Sequence, residues 1–205
     1  MASVFRDLGA DNIIVGGQTM NPSAEDILDK VNRTPAETVI VLPNNKNIIM
    51  AAEQCKSLTS RKVLVLPTRS MPQGVSAMLV FDPSLSAEEN AEAMTEAISK
   101  VHTAQITCAA RDSTFDGHEI AQGDYLALLD DNLLATGKDT LSLIDAVGEA
   151  LAAFSPEFLT IFTGEGADPA ESEAIQQRLS ARMPEAEVSV VSGGQPVYSY
   201  MISAE

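Results

Sequence analysis

Apolar residues in the first part of the chain form short continuous runs, each followed by a loop rich in glycine, proline or asparagine. The runs are Asn12–Val15, Val39–Leu42 and Val63–Leu66. After the first two runs, apolar residues repeat at the spacing of an amphipathic helix, starting at Asn21-Pro22 and at Lys46. Because buried strands of a parallel sheet are continuously apolar and are separated by helices, this pattern predicts a parallel sheet covered by helices on both faces.

Local capping signals predict where the first of these helices begins. Asn21 is the expected N-cap and Pro22 the expected first helical residue. Ser23 and Asp26 add a second, weaker capping signal.

The pattern changes in the second part of the chain. Residues 104 to 136 are typical of antiparallel strands, with Asp116-Gly117 as the turn between Ile106–Thr114 and His118–Ile120. Helices are expected to follow the capping residues Ser86, Asp139 and Asp168. Glu89 is expected to complete a capping box with Ser86, and Glu171 one with Asp168. Further strands are expected at Tyr125–Leu129, Phe158–Phe162, Val188–Val191 and Val197–Ile202.

These patterns predict an α/β fold in two lobes. Residues 1–83 are expected to form a Rossmann-like lobe, a parallel sheet flanked by helices. Residues 84–205 are expected to form an α+β lobe with a mixed or antiparallel sheet and helices. The predicted boundary lies near Asp82-Pro83.

The polar loops after the three predicted strands of the first lobe are candidate binding elements. Their sequences are GGQTMNPS, LPNNKN and LPTRSMPQG. Ligands of open parallel sheets bind outside the carboxyl ends of the strands, so we expect the three loops to gather at one edge. The residues expected to bind a ligand or partner are Gly16, Gly17, Gln18, Thr19, Asn21, Asn44, Asn45, Lys46, Thr68, Arg69 and Gln73.

The chemistry of these loops favours a polar or anionic ligand, or a loop of a partner protein. Lys46 and Arg69 supply the local positive charge, and the helix starting at Pro22 points its amino end to the same edge. Ordinary turn and cap chemistry is the alternative interpretation, because strand-to-helix turns require asparagine, proline and glycine in any case.

Charge argues against several classes of partner. The net charge is −16, with 13 basic and 29 acidic residues, so the chain lacks the basic clusters that nucleic acids require. Anionic membrane surfaces are disfavoured for the same reason. The charge either keeps the protein soluble or steers a basic protein partner towards it.

Location and redox state are predicted from what the sequence contains. We find no apolar run long enough to span a bilayer, and the start MASVFRDLGADN lacks a secretory pattern. Cys55 and Cys108 are far apart and form no CxxC motif, which fits a reducing cytoplasm. Both are expected to be buried free thiols.

Catalytic, metal and nucleotide motifs are absent from the sequence. It contains no GxxxxGK[ST], no complete GxGxxG and no GxSxG. Its only histidines, His102 and His118, form no metal-binding pair motif. At Gly164-Glu165-Gly166 the carboxylate would repel phosphate. We therefore expect no catalytic residue, no metal ligand and no cofactor in this chain.

Four segments resemble one known family. GGQTMNPSAEDIL, VIVLPNNKNIIMAAEQ, VLPTRSMPQGVSAML and ENAEAMTEAI are similar to the carboxyl-terminal region of the dihydroxyacetone-kinase-like large subunit of bacterial fatty acid kinase. The resemblance runs from about Phe5 to about Asp131 and continues more weakly to the end. The pairing of LPNNKNI with GGQTMNPS is its most specific feature.

The resemblance implies a role within a larger kinase. In that family an amino-terminal domain binds ATP and magnesium, and the enzyme phosphorylates a fatty acid presented by a separate DegV-like fatty-acid-binding protein. The product is an acyl phosphate. The chain is then a fragment without its own phosphoryl-transfer site, inactive as an enzyme when isolated.

The same resemblance implies the partners of the chain. These are the DegV-like fatty-acid-binding protein, which this region is expected to dock, and the upstream kinase domains. FLTIFTGEGADPAESEAIQQRL and EVSVVSGGQPVYSY are also similar to the closing half of a DegV-type fold. Two alternatives stay open: a small-ligand module for a fatty acid or acyl phosphate, held by Lys46 or Arg69, and a spacer in a homodimeric enzyme.

Overall fold

The computed structural model describes residues 1–16, 21–115 and 117–205. They form two compact units, Met1–Val101 and His102–Glu205, called unit 1 and unit 2 below. The division differs from the boundary expected near Asp82-Pro83, because the helix Ala87–Ser99 packs within unit 1 through Met94 and Ile98.

Unit 1 is built from helices around a parallel pair of strands. Its elements are α1 (Ala2–Asp7), α2 (Ala24–Arg33), β1 (Thr38–Val41), α3 (Lys46–Cys55), β2 (Lys62–Val65), α4 (Met71–Leu79) and α5 (Ala87–Ser99). β1 and β2 are parallel, with Val39 opposite Val63.

Alternate residues of the β1–β2 sheet face two different cores. Val63 and Val65 pack with Ile27, Ala52 and Cys55 of α2 and α3. On the other side Ile40, Leu42 and Leu66 pack with residues of α4 and α5, among them Ala77 and Met94. This confirms the predicted parallel sheet with helices on both faces.

The first predicted strand, Asn12–Val15, is wrong. Residues 12–16 have no regular secondary structure. Ile14 packs against the core of α2 and α3, but Val15 is largely exposed. A strand buried on both faces needs consecutive side chains in the core, which this segment does not provide.

Helix α2 begins two residues later than its proline suggested. The Ser23 hydroxyl accepts the Asp26 amide hydrogen, and the Asp26 carboxylate accepts the Ser23 amide hydrogen, which is a complete capping box. Hydrogen bonding to Ser23 lowers the pKa of Asp26. Asn21 is therefore not the N-cap, which frees its side chain for a contact with another loop.

Helix α4 was not predicted, and its first four residues lie in the segment interpreted as the loop LPTRSMPQG. The Ser70 hydroxyl caps it by accepting the Gln73 amide hydrogen at 3.3 Å, and Pro72 occupies its first turn. Proline is tolerated there because the first turn has no amide partner to lose.

The described residues of unit 2 form ten further elements. They are β3 (His102–Cys108), β4 (Ser113–Phe115), β5 (His118–Ile120), β6 (Tyr125–Leu129), β7 (Asn132–Gly137), α6 (Thr140–Ala152), β8 (Phe158–Gly164), α7 (Pro169–Arg182), β9 (Glu187–Gln195) and β10 (Tyr198–Ala204). Six strands form one sheet in the order β7-β6-β3-β10-β8-β9, in which β8 and β9 are parallel and the other pairs antiparallel. The predicted mixed sheet is thus confirmed.

The observed hairpin is shorter than the predicted one. β4 and β5 pair as a separate two-stranded sheet, with Phe115 opposite His118. β3 ends at Cys108 and pairs instead with β6 and β10. The predicted single strand Ile106–Thr114 is therefore divided, and Asp116 of the predicted turn lies outside the described residues.

Helices α6 and α7 share one core with the large sheet. Leu143 and Val147 of α6 and Ile175 of α7 are buried with Ile161 and Ile202 of the strands. Asp168 caps α7 as predicted, and its side chain accepts the Ala170 amide hydrogen.

Glu171 does not complete the expected capping box. Its carboxylate accepts the Tyr200 hydroxyl hydrogen at 2.9 Å, which joins α7 to β10. Burial is the main cause that raises the pKa of Tyr200 to about 12.

Candidate functional site

The loop between β1 and α3 contacts both of the other polar loops of unit 1. Asn45 Nδ2 donates to Asn21 Oδ1 at 3.2 Å, and the Asn44 amide donates to Thr68 Oγ1 at 2.8 Å. LPNNKN therefore contacts Asn21 on one side and LPTRSMPQG on the other. The structure brings Asn44, Asn45 and Thr68 together, as expected for loops that follow the parallel strands β1 and β2. Asn21 joins them through its bond to Asn45, although residues 12–16 form no strand.

Asn44 lies where the second and third loops meet. Its φ is +57°, a left-handed conformation that asparagine tolerates better than most residues. Its side-chain amide packs directly against Gly74 of α4, where an added Cβ would lie 2.1 Å from Asn44 Oδ1. Glycine at position 74 is thus what allows the two loops to approach.

Within the described part of the chain, the side-chain oxygen of Asn44 accepts no hydrogen bond. Asn44 Oδ1 is buried and has no partner among the residues that the structure describes. A buried acceptor without a partner costs about 1–3 kcal/mol. Packing against Gly74 and the backbone bond to Thr68 hold Asn44 in place despite this cost.

Helix starts lie directly behind these loops. Asn45 caps α3 by accepting the Asn47 amide hydrogen at 3.0 Å. Ser70 caps α4, and Gln73 Oε1 turns back to accept the Arg69 amide hydrogen at 2.7 Å. Asn45, Ser70 and Gln73 therefore act in helix capping. This agrees with the alternative interpretation, in which the loops serve as ordinary turns and caps.

Positive charge lies on the outer rim of the loops. Lys46 is the first residue of α3, Arg69 precedes the Ser70 cap, and both are exposed. Thr68 and Ser70 behind them are buried. The arrangement offers cations and asparagine amides at the surface and hydroxyls already bonded inside.

The remaining expected residues are only partly described. Gly16 is half-buried at the end of the first described segment. Gly17, Gln18 and Thr19 lie outside the described residues. Sequence reasoning did not assign a role to Gly74, although a glycine in the first turns of a helix is a signal of close approach by another group.

Other chemically active side chains do not add to this site. His102 Nδ1 lies 2.7 Å from Asp130 Oδ2 in unit 2, and its ring stacks on Phe154. Within residues 1–16, 21–115 and 117–205 there is no group of three His, Cys, Asp or Glu side chains placed to hold a metal ion.

The two cysteines differ in exposure. Cys55 is buried as predicted, its thiol contacts the Ala24 carbonyl at 3.4 Å, and burial raises its pKa. The prediction for Cys108 is wrong, because this residue is exposed at the end of β3. Residues at strand ends can turn outward even when their neighbours are apolar.

Among the helices of the described chain, none combines the length and the apolar character needed to cross a bilayer.

Several solved structures share this fold. The Streptococcus pneumoniae fatty acid kinase B3 protein loaded with linoleic acid matches with a TM-score of 0.63 at 13% identity, over 90% of this chain and 76% of that chain. A DegV family protein of Corynebacterium glutamicum matches with a TM-score of 0.64 at 14% identity, over 100% and 91%. These likenesses show the fold and confirm the expected DegV-like architecture.

Dihydroxyacetone kinase of C. freundii shares the fold as well. Its TM-score is 0.60 at 12% identity, over 89% of this chain and 41% of that chain. The fold is thus common to a lipid-loaded binding protein and to a kinase.

Relatives of known sequence match along the whole chain. Protein YloV of Bacillus subtilis is 42% identical over all 205 residues, and an uncharacterized protein of Staphylococcus aureus strain USA300 is 37% identical. The chain spans 37% of the length of each of these relatives. Residues 1–205 also match the model of the FakA-like C-terminal family of fatty acid kinases. The chain therefore belongs to the FakA-like C-terminal family of fatty acid kinases.

Proposed function

We propose that this chain is the docking domain of a two-component fatty acid kinase and recognises the DegV-like fatty-acid-binding protein. The observation that carries the proposal is the contact between the loops that follow β1 and β2. Asn44 packs against Gly74 and its amide bonds Thr68, so these two loops support each other and hold Lys46 and Arg69 at the surface. The polar and cationic groups that stay exposed face outward, as suits a protein partner.

The proposal assigns the chemistry to the rest of the enzyme. The curated relatives are longer than this chain, which spans 37% of their length. ATP and magnesium bind in that remaining part, where a fatty acid is converted to an acyl phosphate in the cytoplasm. The isolated chain then transfers no phosphoryl group, and its other contacts are the upstream kinase domains of its own protein.

Competition with the complete enzyme tests the docking role. The purified chain is added to full-length kinase, its fatty-acid-binding protein, fatty acid and ATP, and acyl phosphate formation is followed. An isolated docking domain should occupy the binding protein and slow the reaction as its concentration rises. No inhibition at a large excess of the chain over the binding protein would contradict docking.

Charge-matched variants locate the contact on the chain. Lys46→Glu with Arg69→Glu reverses the exposed cations of the loops and should abolish the inhibition. Arg33→Glu with Lys56→Glu makes the same charge change at the opposite ends of α2 and α3, and should inhibit as the original chain does. Equal inhibition by both variants would show that the loops are not part of the interface.

A second candidate function is binding of a fatty acid or acyl phosphate by the chain itself. It is favoured by the shared fold with the B3 protein loaded with linoleic acid. Lys46 or Arg69 would neutralise the anion, and the amino end of α3 would add favourable dipoles. Native mass spectrometry after incubation with fatty acid distinguishes the two: a retained lipid mass supports this candidate, and an empty protein contradicts it.

A further inference from the structure

The end of α4 and the segment after it expose a group of large apolar side chains. Leu79, Val80, Phe81 and Leu85 are 64%, 42%, 42% and 44% exposed, and together they are called the apolar patch below. Single exposed apolar residues are normal on protein surfaces, but a contiguous group indicates a contact surface.

The apolar patch is held in a fixed conformation. Asn90 of α5 is buried, its Oδ1 accepts the Asp82 amide hydrogen at 2.8 Å, and its Nδ2 donates to the Asp82 carbonyl at 2.8 Å. The capping box of Ser86 and Glu89 fixes the other end of the segment. The side chains are thus presented by an ordered turn, which lowers the entropy cost of binding a partner.

Carboxylates accompany the apolar patch along the chain. Residues 79–99 contain Asp82, Glu88, Glu89, Glu92 and Glu96 and no lysine or arginine. Hydrogen bonds to Ser84 and to Ser86 lower the pKa values of Asp82 and Glu89, and the Lys62 ammonium lowers that of Glu88. Lys62 and Lys100 pair with Glu88 and Glu96, so the negative rim of the patch is formed by Asp82, Glu89 and Glu92.

The negative rim decides which occupant fits. A second copy of the chain would bring the same carboxylates against each other, and an anionic lipid surface would be repelled as well. A protein face with an apolar centre and a rim of lysine and arginine complements both features. We propose that the apolar patch docks such a face of the fatty-acid-binding protein, an inference that rests on the proposed docking function.

The loops and the apolar patch are close enough for one partner protein to cover both. Helix α4 starts at the Ser70 cap beside the loops and ends at Leu79 in the patch. A helix of 9 residues is about 13 Å long, whereas a stable interface covers about 800 Å² on each partner. The two surfaces are then parts of one interface joined by α4.

A matched pair of double variants tests the apolar patch. Leu79→Gln with Phe81→Gln removes two of its four apolar side chains. Met50→Gln with Leu58→Gln removes side chains that are 73% and 61% exposed, one in α3 and one just beyond it. We expect the patch variant to bind the fatty-acid-binding protein at least about tenfold more weakly, and the control variant to bind within about twofold of the original.

Each outcome of this titration has a separate meaning. If the original chain binds and the patch variant binds equally well, the apolar patch is not the contact, while the docking function stands. If the original chain does not bind at all, the docking function fails and the patch inference fails with it. Thermal unfolding of both variants, expected at the temperature of the original chain, excludes misfolding as the cause of weaker binding.

Salt dependence tests the charged rim separately. Screening weakens attraction between exposed charges, so affinity should fall as ionic strength rises from about 0.05 M to 0.5 M. A salt-independent affinity would contradict a basic rim on the partner. A concentration-dependent dimer of the original chain that the patch variant abolishes would assign the surface to a second copy and overturn the proposal.

Discussion

Asn44 and Gly74 define the candidate site at the scale of single residues. The Asn44 amide lies where any side chain at position 74 would begin, and its backbone bonds the next loop through Thr68. The contact requires both a small residue in α4 and a residue that accepts a left-handed φ at position 44.

The Gly74→Ala variant tests this contact. Its methyl group would displace the Asn44 amide, with a cost of about 1–3 kcal/mol for overpacking that is offset by up to about 1 kcal/mol of helix propensity. We expect a small loss of stability in urea unfolding, together with weaker binding of the fatty-acid-binding protein.

A double-mutant cycle supplies the control for this prediction. Asn44→Gly keeps the left-handed conformation and removes the amide, so Gly74→Ala should cost less in its presence than in the original chain. Strictly additive effects would show that the two residues do not interact.

At the same scale, sequence reasoning identified the loop residues but not which contacts each of them makes. Asn44, Asn45 and Thr68 could be grouped because the loops after adjacent parallel strands meet at one edge. Asn21 was grouped with them on the same expectation and does bond Asn45, but the strand predicted before it is not formed. The packing of Asn44 on Gly74 could not be predicted, since it depends on the position of α4, which had been interpreted as a loop.

At the scale of elements, the α4–α5 connection depends on one buried side chain. Asn90 bonds both the amide and the carbonyl of Asp82 and lies in the first turns of α5. The Asn90 side chain thus satisfies backbone polar groups of the turn that have no partner in regular secondary structure.

Replacing Asn90 should therefore destabilise unit 1. Asn90→Ala removes both bonds to Asp82 and should lower the free energy of unfolding by about 2 kcal/mol. Glu92→Ala on the exposed face of the same helix is the control, and should change it by less than about 0.5 kcal/mol. Chemical denaturation measures both; equal effects of the two substitutions would contradict the role of Asn90.

Elements with strong local signals were predicted best. The capping box of Ser86 and Glu89 and the strand Tyr125–Leu129 are found as expected. The strand prediction for Asn12–Val15 was wrong because an apolar run alone does not show whether a neighbouring strand is available for pairing. The role of Glu171 was missed because its partner, Tyr200, lies 29 residues away in the sequence.

At the scale of the whole molecule, the division into units depends on packing that the sequence does not display. Asp82-Pro83 carries the signal of a turn, and a turn between two patterns suggested a boundary there. The structure divides after Val101 instead, because Met94 and Ile98 of α5 complete the core next to Leu66 and Ala77.

Charge and family together determine the expected partner of the whole chain. A net charge of −16 favours a basic protein surface over nucleic acid or anionic lipid. The docking function proposed above identifies that surface with the fatty-acid-binding protein.

Titration calorimetry of the 205-residue chain with the fatty-acid-binding protein from the same organism is the most direct test of the docking function. The account predicts saturable binding with one binding protein per chain, weakened by salt. An absence of binding at protein concentrations of several hundred micromolar, with both proteins folded, would contradict it.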